Sequence, residues 1–339
     1  MHSRAAGRLR AGIIGLGVGE RHIEGYHDHP QCKVEALCDF SSEKLAMARE
    51  KYPELKLTEY ADEILEDPEI DVVSIASYDN YHYDQIVKAI KHNKHVFIEK
   101  PICLYEHELV HVRALLKENP HLKLSSNLIL RMSPRFRLLK EMIAAGELGQ
   151  LFYVEGDYNY GRLHKITEGW RGQIDFYSVV YGGGVHIVDL LLWLTGDQVI
   201  EVAAYGNNIA SRGTSFRFND MVVCILKFRS GMVGKMAANF GCVFPHFHAL
   251  SVYGTKATFV NGLDHGRLFE TGQAVEGGKM ITAAYPGAQK GDLIYSFIES
   301  ILHDTPAEVS TEDVFKTMSV CLAVEKATHQ PGSVAVQYI

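Results

Sequence analysis

An apolar run and the glycines directly after it constrain the fold of this chain more than any other feature. Leu9 to Ile14 has the length and composition of a buried strand, and Gly15-Leu16-Gly17-Val18-Gly19-Glu20 follows it and opens a helical pattern. In such a turn the first glycine permits a tight bend, the second lets a phosphate approach the backbone, and helix N–H groups supply an anion site. The third glycine, which packs helix against strand, is replaced by Glu20, and Gly19 stands one residue early. We expect a slightly remodelled turn that keeps the phosphate site.

An acidic residue at the end of the second strand points to a dinucleotide as the ligand. Asp39 directly follows the apolar run Lys33 to Cys38, twenty residues beyond Gly19. There a carboxylate accepts hydrogen bonds from the adenosine ribose hydroxyls and repels a 2′-phosphate. No arginine follows it in Asp39-Phe40-Ser41-Ser42, so NAD is favoured over NADP. The alternative is a plain strand-to-helix turn without a ligand.

The first third of the chain alternates strand patterns with helix patterns. Further strand-like runs cover 71–75, 95–98 and 123–126, and amphipathic stretches cover 20–29, 42–51, 81–92 and 105–118. Repeated strand, helix, strand order predicts right-handed crossovers and a parallel sheet covered on both faces. We therefore expect an α/β Rossmann dinucleotide-binding domain over residues 1–130.

From about residue 130 the pattern changes to long alternating runs. Ser133-Pro134 is a good N-cap and first-turn pair for one helix, which ends at Gly146. Alternation at period two then covers 151–160, 199–207, 221–228, 232–240 and 248–253, with helical patterns only at 185–195, 289–303 and 311–328. Residues 131–339 are thus expected to form an α+β substrate and oligomerisation domain with a large, mostly antiparallel open sheet. Its last helix could pack back on the first domain.

Composition excludes several classes of protein. The net charge is 34 minus 41, or −7, whereas a nucleic-acid reader would carry a basic excess. No apolar run approaches the roughly 18–20 residues of a membrane span. The segment from Met1 to Arg10 lacks the apolar core of a secretory signal. We expect a soluble, cytoplasmic protein without nucleic-acid or membrane partners, whose six cysteines are reduced and mostly buried.

Seventeen histidines raise the question of a metal. The most suggestive pairs are His27-x-His29 and His246-x-His248, because histidines at i and i+2 share one face of a strand. No acidic or thiol partner stands at ligand spacing, so surface or hydrogen-bonded histidines are expected and a metal is not.

Several further motifs carry a resemblance to a known family. They are Asp71–Ser77, Asn80-Tyr81-His82, Glu99-Lys100-Pro101, Asn127, Arg131–Pro134, Gly146–Gly149, Trp170-Arg171 and Gly182–Asp189. With them the chain resembles the Gfo/Idh/MocA oxidoreductases, which include glucose-fructose oxidoreductases and inositol dehydrogenases. Glu-Lys-Pro after a buried strand is the most characteristic of these motifs, and it stands where ligands bind in open α/β sheets. The resemblance covers nearly the whole chain.

This resemblance implies roles for two residues above all. Lys100 is implied to be the active-site lysine, close to nicotinamide and substrate, with a cis peptide bond before Pro101. His186 is implied to be the general acid/base, which an imidazole can be near neutral pH. Asp189, three residues on, would share the helix face and orient the ring or contact sugar hydroxyls. The glycines before His186 would let a substrate approach closely.

One position departs from the family pattern. Many members carry an aspartate four residues before the histidine, where this chain has Gly182. Asp175, Tyr177 or Tyr181 could replace that aspartate in space, or the reaction does not need it.

The remaining candidate residues follow from the same motifs. An aromatic and basic stretch leads to Trp170-Arg171, which the resemblance places near the nicotinamide; the cations before it bind a carboxylate or a sugar-nucleotide phosphate, or form a solvated loop. Cofactor contacts are expected from Gly15, Leu16, Gly17, Val18, Gly19, Asp39, Phe40, Ser77, Asn80, His82, Glu99, Lys100, Asn127, Trp170 and Arg171. Substrate contacts are expected from Lys100, Arg162, His164, Lys165, Asp175, Tyr177, His186 and Asp189.

The implied activity is hydride transfer between NAD and a secondary alcohol or ketone of a sugar, cyclitol or sugar nucleotide, with Lys100 and His186 as the catalytic pair. One alternative is a glycoside hydrolase or lyase that oxidises its substrate transiently. Another is a non-catalytic NAD-binding regulator. The free face expected on the second sheet predicts a homodimer or homotetramer.

Overall fold

In the computed structural model, which describes residues 8–270, 272 and 277–339, the chain divides into two units. One unit contains the chain up to Ile129 together with Gln289–Phe315, and the other contains Leu130–Ala288 and Lys316–Ile339. The assignment of cofactor and substrate roles to 1–130 and 131–339 stays a prediction. Most of the segment from Met1 to Arg10, in which no secretory signal is expected, lies outside the described residues.

The first unit is built on a six-stranded sheet in which every pairing is parallel. The strands stand in the order β3-β2-β1-β4-β5-β6. They are β1 (Leu9–Ile14), β2 (Cys32–Cys38), β3 (Lys56–Thr58), β4 (Val72–Ile75), β5 (His95–Ile98) and β6 (Leu124–Ser126). This is the doubly wound order, which reverses between β1 and β4 and places a ligand crevice at the carboxyl ends of those strands. The expected Rossmann fold is confirmed.

Helices connect the parallel strands of this sheet, and the segment 289–315 contributes further helical residues to the unit. They are α1 (His22–His27), α2 (Ser42–Lys51), α3 (Asp62–Leu65), α4 (His82–Lys91), α5 (Glu106–Glu118), α9 (Asp292–His303) and the first residues of α10 (Thr311–Ala327). A Cβ on Gly25 of α1 would lie 2.4 Å from the carbonyl oxygen of Gly291. The two backbones meet there because neither residue has a side chain.

The edge strand β6 is closed by hydrogen bonds from the segment that returns to the first unit. The Leu124 N–H donates to the Thr311 hydroxyl (3.1 Å), which donates to the Leu124 carbonyl (2.7 Å). The Ser125 hydroxyl donates to the carbonyl of Val309 (2.8 Å). These bonds satisfy groups that would otherwise invite another strand.

The second unit contains a nine-stranded sheet in the order β14-β13-β12-β11-β7-β10-β9-β8-β15. Its pairings are antiparallel except for the parallel pair β7 and β10, so the expected mostly antiparallel sheet is confirmed. The strands are β7 (Leu151–Asn159), β8 (Val199–Asn207), β9 (Met221–Phe228), β10 (Val233–Asn239), β11 (Phe247–Gly254), β12 (Ala257–Asn261), β13 (Gly266–Glu270), β14 (Lys279–Ile281) and β15 (Val334–Ala335).

Helix α8 (Val185–Thr195) packs on one face of this sheet, and α6 (Pro134–Ala144) and α7 (His164–Thr167) belong to the same unit. A Cβ on Gly156 of β7 would lie 2.6 Å from the Ile187 side chain, so the helix approaches the strand as closely as a glycine allows. Helix α6 begins at Ser133-Pro134 as expected, but the Ser133 hydroxyl forms no capping hydrogen bond. Proline at the first position already removes one N–H that needs a partner.

No helix in the described part of the chain is long and apolar enough to cross a membrane.

A buried ion pair fastens α8 to the segment before α6. The Arg131 guanidinium donates from Nε (2.9 Å) and from a terminal nitrogen (2.6 Å) to the two carboxylate oxygens of Asp189, which also accepts from the Thr317 hydroxyl (3.3 Å). Asp189 is 0% exposed and Arg131 3%. Such a pair contributes little beyond its desolvation cost, but losing one partner leaves a buried charge uncompensated.

Arg131→Met is therefore expected to lower the free energy of unfolding by about 3–5 kcal/mol, because Asp189 stays buried. The double variant Arg131→Met with Asp189→Leu should recover most of this loss. Urea denaturation followed by circular dichroism measures both. Lys51→Met, which removes the exposed pair with Glu20, is the control and should cost no more than about 1 kcal/mol. A loss that small in Arg131→Met would contradict the proposed dependence of the fold on the pair.

Candidate active site

The glycine-rich turn after β1 has the shape that a bound phosphate requires. Gly15 has φ of 91°, and a Cβ there would lie 2.3 Å from the carbonyl oxygen of Ala76. Among the described residues, a Cβ on Gly17 would meet only the Lys44 ammonium, at 3.6 Å, so the space beside it is open. A Cβ on Gly19 would lie 3.1 Å from the Ala76 side chain, so Gly19 performs the packing role of the third glycine. The turn fits a dinucleotide.

The expected remodelling of the turn is found where the helix begins. Gly19–Arg21 forms a 3₁₀ turn before α1, and Val18 stands exposed ahead of it. Glu20, at the usual glycine position, points outward and forms an ion pair with Lys51 (2.6 Å).

The carboxylate of Asp39 anchors this turn to the end of β2. It accepts hydrogen bonds from the N–H groups of Leu16 (2.8 Å) and Ser41 (2.9 Å), and Lys44 lies 3.0 Å away. Sequence reasoning considered only residues 39–42 after the strand and missed Lys44, which α2 brings back one turn later. Any discrimination against a 2′-phosphate therefore depends on the position of the Asp39 carboxylate and not on the local net charge.

The other expected cofactor residues of the first unit stand near the ends of β2 and β4. Phe40 is 65% exposed and lies edge-on to Tyr78, with ring centres 5.5 Å apart. The Ser77 hydroxyl donates to Gln85 (2.7 Å), and Asn80 is exposed in the 3₁₀ turn that precedes α4. Exposed aromatic and amide groups at this edge of the sheet suit a planar, polar ligand.

His82 contacts backbone on both sides of its ring. It is 0% exposed; Nδ1 lies 2.6 Å from the carbonyl oxygen of Pro101 and Nε2 3.2 Å from that of Ser77. The imidazole thus joins the segment after β4 to the segment after β5. Its contact with the cofactor stays a prediction.

A buried carboxylate lies directly before Lys100. Glu99 is 7% exposed and accepts a hydrogen bond from the Asn127 amide (2.8 Å), while His22 lies 3.4 Å and Lys290 3.7 Å from the same oxygen. Burial alone would raise the pKa of this carboxyl, but Lys290, His22 and Lys100 together hold the pKa well below its ordinary value. Glu99 is therefore ionised inside the first unit.

Two members of this cluster were not predicted. His22 is fully buried, with Nδ1 2.8 Å from the Ser74 hydroxyl, and the Lys290 carbonyl accepts a hydrogen bond from Asn127 (3.0 Å). His22 opens α1 without any motif of its own, and Lys290 is far away in sequence. No local pattern identifies either residue.

Lys100 follows β5 at the ligand edge of the sheet. The expected cis peptide bond to Pro101 is confirmed, and the lysine is half-buried. The Glu99 N–H donates to the Ile75 carbonyl at the end of β4 (2.8 Å), so the backbone before Lys100 is fixed by the neighbouring strand.

His186, in the second unit, lies among aromatic rings on the sheet face that α8 covers. Its ring centre is 6.0 Å from that of Tyr158, nearly parallel, and 6.4 Å from that of His248, nearly perpendicular. Tyr158 also contacts Phe240 and His246, with ring centres 5.7 Å and 5.2 Å apart. His186 keeps 5% of its surface exposed.

The glycines before His186 accommodate side chains of the same unit. They form a π-turn, Val180–Gly184, and a Cβ on Gly183 would lie 2.4 Å from the Tyr158 ring. A Cβ on Gly182 would lie 2.1 Å from the hydroxyl oxygen of Tyr177. Of the three residues considered as substitutes for the missing aspartate, Tyr177 thus has its hydroxyl oxygen against position 182, while Asp175 is exposed and Tyr181 is buried. The space that a side chain at position 182 or 183 would need is thus occupied by phenol rings, and the close approach of a substrate stays a prediction.

The remaining candidates of the second unit lie in the segment after β7. Trp170 and Arg171 are half-buried in a 3₁₀ turn, with the guanidinium 4.5 Å from the centre of the indole. Arg162 is exposed and lies 5.5 Å from the centre of the Tyr160 ring. His164 and Lys165 are exposed in the short helix α7. Asp189 is held by Arg131 and has no exposed surface, so its expected contact with a sugar would require that ion pair to open.

Among residues 8–270, 272 and 277–339, no group of three or more histidine, cysteine or acidic side chains is placed to hold a metal. All six cysteines are free, and five of them are buried.

Comparison with known proteins agrees with both units. A family described as the oxidoreductase family with NAD-binding Rossmann fold matches residues 9–127, and the GFO/IDH/MocA C-terminal domain matches residues 136–260. Myo-inositol 2-dehydrogenase of Thermotoga maritima is 24% identical over 98% of this chain and 99% of its own length. The scyllo-inositol 2-dehydrogenase (NAD(+)) of Bacillus subtilis is 27% identical over 76% of this chain and 75% of its own length.

Solved structures share the fold. Levoglucosan dehydrogenase in complex with NADH and L-sorbose superposes with a TM-score of 0.85 at 20% identity, covering 98% of this chain and 99% of that one. Myo-inositol 2-dehydrogenase from Lactobacillus plantarum gives 0.82 at 20% identity, covering 97% and 100%. With a glycine turn open to a phosphate, an acid at the end of β2 and both domains matched, the chain belongs to the GFO/IDH/MocA family and is an NAD-dependent oxidoreductase.

Proposed function

We propose that this oxidoreductase transfers hydride between NAD and a secondary alcohol of a sugar or cyclitol, with Lys100 and His186 acting on the same hydroxyl group. The observation that carries the proposal is the lysine at the carboxyl end of β5, directly after a buried anion. Relatives named as inositol dehydrogenases, which match most of the chain, support a polyol as the substrate class.

In this mechanism each side chain has one task. The Lys100 ammonium donates a hydrogen bond to the hydroxyl oxygen and stabilises negative charge that develops on it. The His186 imidazole takes the hydroxyl proton when the alcohol is oxidised and returns it in the reverse direction. The bound nicotinamide would supply the hydride acceptor. Gly17 and the N–H groups of the turn would hold the pyrophosphate of NAD.

The buried Glu99 supports the role of Lys100. An ionised carboxylate with Asn127, His22 and Lys290 around it is a rigid anchor one residue before the lysine. A backbone held in this way limits the directions in which the half-buried side chain can point, and a positioned group needs no reorganisation during the reaction.

The proposal that identical chains associate is supported by apolar side chains on the open face of the second sheet. On this face Ile225 is 49% and Val233 42% exposed, beside the partly exposed Tyr153 and Tyr253. Apolar groups among polar ones are typical of interfaces between subunits. The homodimer or homotetramer stays a prediction.

Lys100→Met should lower kcat/KM for NAD-dependent polyol oxidation by a factor of about 10²–10⁴, because the variant lacks the donor to the reacting oxygen. Its dissociation constant for NADH, measured by fluorescence titration, should change little. Lys91→Met, an exposed lysine of α4, is the matched control and should keep full activity. Normal turnover in Lys100→Met would refute the proposed role.

Asp39→Ser should weaken NAD binding and reduce discrimination against NADP. The serine cannot accept from both ribose hydroxyls, and Lys44 becomes available to a 2′-phosphate. Adding Lys44→Met should abolish the gain for NADP while leaving the loss for NAD. Dissociation constants of the two reduced cofactors, measured at one salt concentration, test this. If wild-type enzyme already prefers NADP, the proposed role of Asp39 is wrong.

A further inference from the structure

One member of the pair His246-x-His248, for which the sequence analysis predicts no specific role, lies beside His186. His248 stands on β11 directly opposite Tyr158 of β7. Its ring centre is 5.3 Å from that of Tyr158, 5.0 Å from that of His246 and 6.4 Å from that of His186. His248 therefore shares with His186 the region that the proposed function assigns to the acid/base.

The hydroxyl group of one tyrosine contacts two nitrogen atoms of His248. The hydroxyl oxygen of Tyr285 lies 2.8 Å from the backbone nitrogen of His248 and 2.7 Å from Nδ1 of the same residue. The backbone N–H donates to the hydroxyl oxygen. The hydroxyl proton then has a single acceptor within the described residues, the Nδ1 lone pair. With Nδ1 accepting, a neutral imidazole carries its proton on Nε2.

Neighbouring side chains hold the Tyr285 ring in this position. The Arg135 guanidinium lies 5.2 Å from the centre of the Tyr285 ring, and Phe136 and Phe247 contact the ring edge-on at 5.5 Å and 5.4 Å. Arg135 is itself fixed by donating to the Asn261 side chain (2.8 Å) and the Ala283 carbonyl (2.9 Å). Burial raises the pKa of Tyr285 to about 12, so the phenol keeps its proton at neutral pH.

This arrangement is more specific than packing requires. A buried phenol needs one partner, and many backbone carbonyls would serve. Within the part of the chain that the structure describes, the Tyr285 hydroxyl forms hydrogen bonds to His248 alone, so both of these bonds orient the same residue. Groups that fix a tautomer in this way are common behind histidines that bind ligands.

We propose that Tyr285 is a positioning residue that holds His248 with its proton on Nε2, and that this N–H donates to a second hydroxyl of the polyol, next to the one that His186 deprotonates. The inference rests on the proposed function, since it concerns the same substrate. A polyol carries hydroxyls on adjoining carbons, and two imidazoles with centres 6.4 Å apart can each form a hydrogen bond of about 2.7–3.2 Å to one of them. A simple alcohol would use only His186.

The tautomer is tested first, without any need for turnover. Two-bond ¹H–¹⁵N spectra of the full-length ¹⁵N-labelled protein report which ring nitrogen carries the proton, and His248→Gln identifies the His248 signals. We expect the Nε2–H form in the wild type and a mixture of forms in Tyr285→Phe. Tyr253→Phe, another tyrosine of the same sheet, is the matched control and should leave the His248 signals unchanged. An Nδ1–H form in the wild type, or no change in Tyr285→Phe, overturns the proposal.

Substrate contact is tested by kinetics with myo-inositol, scyllo-inositol and levoglucosan. His248→Gln and Tyr285→Phe should raise KM for the best substrate about tenfold, as expected for one lost hydrogen bond, with kcat much less affected. His186→Gln should instead lower kcat. An unchanged KM in both His248→Gln and Tyr285→Phe overturns the proposal even if the tautomer is as expected.

Failure of the proposed function looks different. In that case wild-type enzyme oxidises none of these polyols, and the deciding measurement is the His248 Nε2 signal when each polyol is added together with NADH. A polyol-dependent shift that is absent in Tyr285→Phe supports the proposed contact without catalysis. No shift with any polyol overturns it.

Discussion

The arrangement of the first unit around the end of β5 depends on one interaction: the buried carboxylate of Glu99 must have hydrogen-bond donors and cations beside it. Ionised Glu99 cannot leave water without donors and cations around it, and these come from the start of α1, the end of β6 and the segment before α9. Residues far apart in sequence are thereby fixed relative to the end of β5. Lys100 is the next residue in the chain. The contacts that stabilise the Glu99 carboxylate therefore also fix the backbone position of the proposed catalytic lysine.

In the second unit, close packing of aromatic rings around His186 performs a similar task, on a helix that the Arg131–Asp189 pair holds. The glycines of the π-turn leave space that the phenol rings of Tyr158 and Tyr177 fill, and the Tyr158 ring also lies against His186. In the proposed site His186 and His248 both lie against the Tyr158 ring, and His248 also contacts the Tyr285 hydroxyl. Such rings exclude water and strengthen each hydrogen bond that a hydroxyl substrate would make.

Sequence patterns predicted the elements whose residues face a core on a regular period. β1, β5, β8, β9 and α8 have the expected bounds, because a strand buried on one or both faces and a helix packed on a sheet leave a clear hydrophobic period. β3, β14 and β15 have two or three residues each, too few to show a period. Glu99 and Asp39 were found from their place in motifs, whereas Lys44, His22, Lys290 and Tyr285 were missed, because they reach their partners only through tertiary folding. Which side chains lie against the glycine triplet could not be decided for the same reason: sequence shows that space exists but not which group fills it.

The π-turn before α8 changes which residues lie on the same face of the helical segment, compared with a regular α-helix. The N–H of Val185 bonds to the carbonyl of Val180, five residues back, so one extra residue is inserted and the residues before it are rotated by about a quarter turn relative to those after it. Counting four residues back from His186 leads to Gly182, but the polar atom found there belongs to Tyr177, five residues earlier still. In a chain with such an insertion, residues with equivalent functions are found by comparing the positions of their atoms and not by counting along the sequence. A gap-free comparison of sequence positions would record a lost side chain where the structure contains a hydroxyl group.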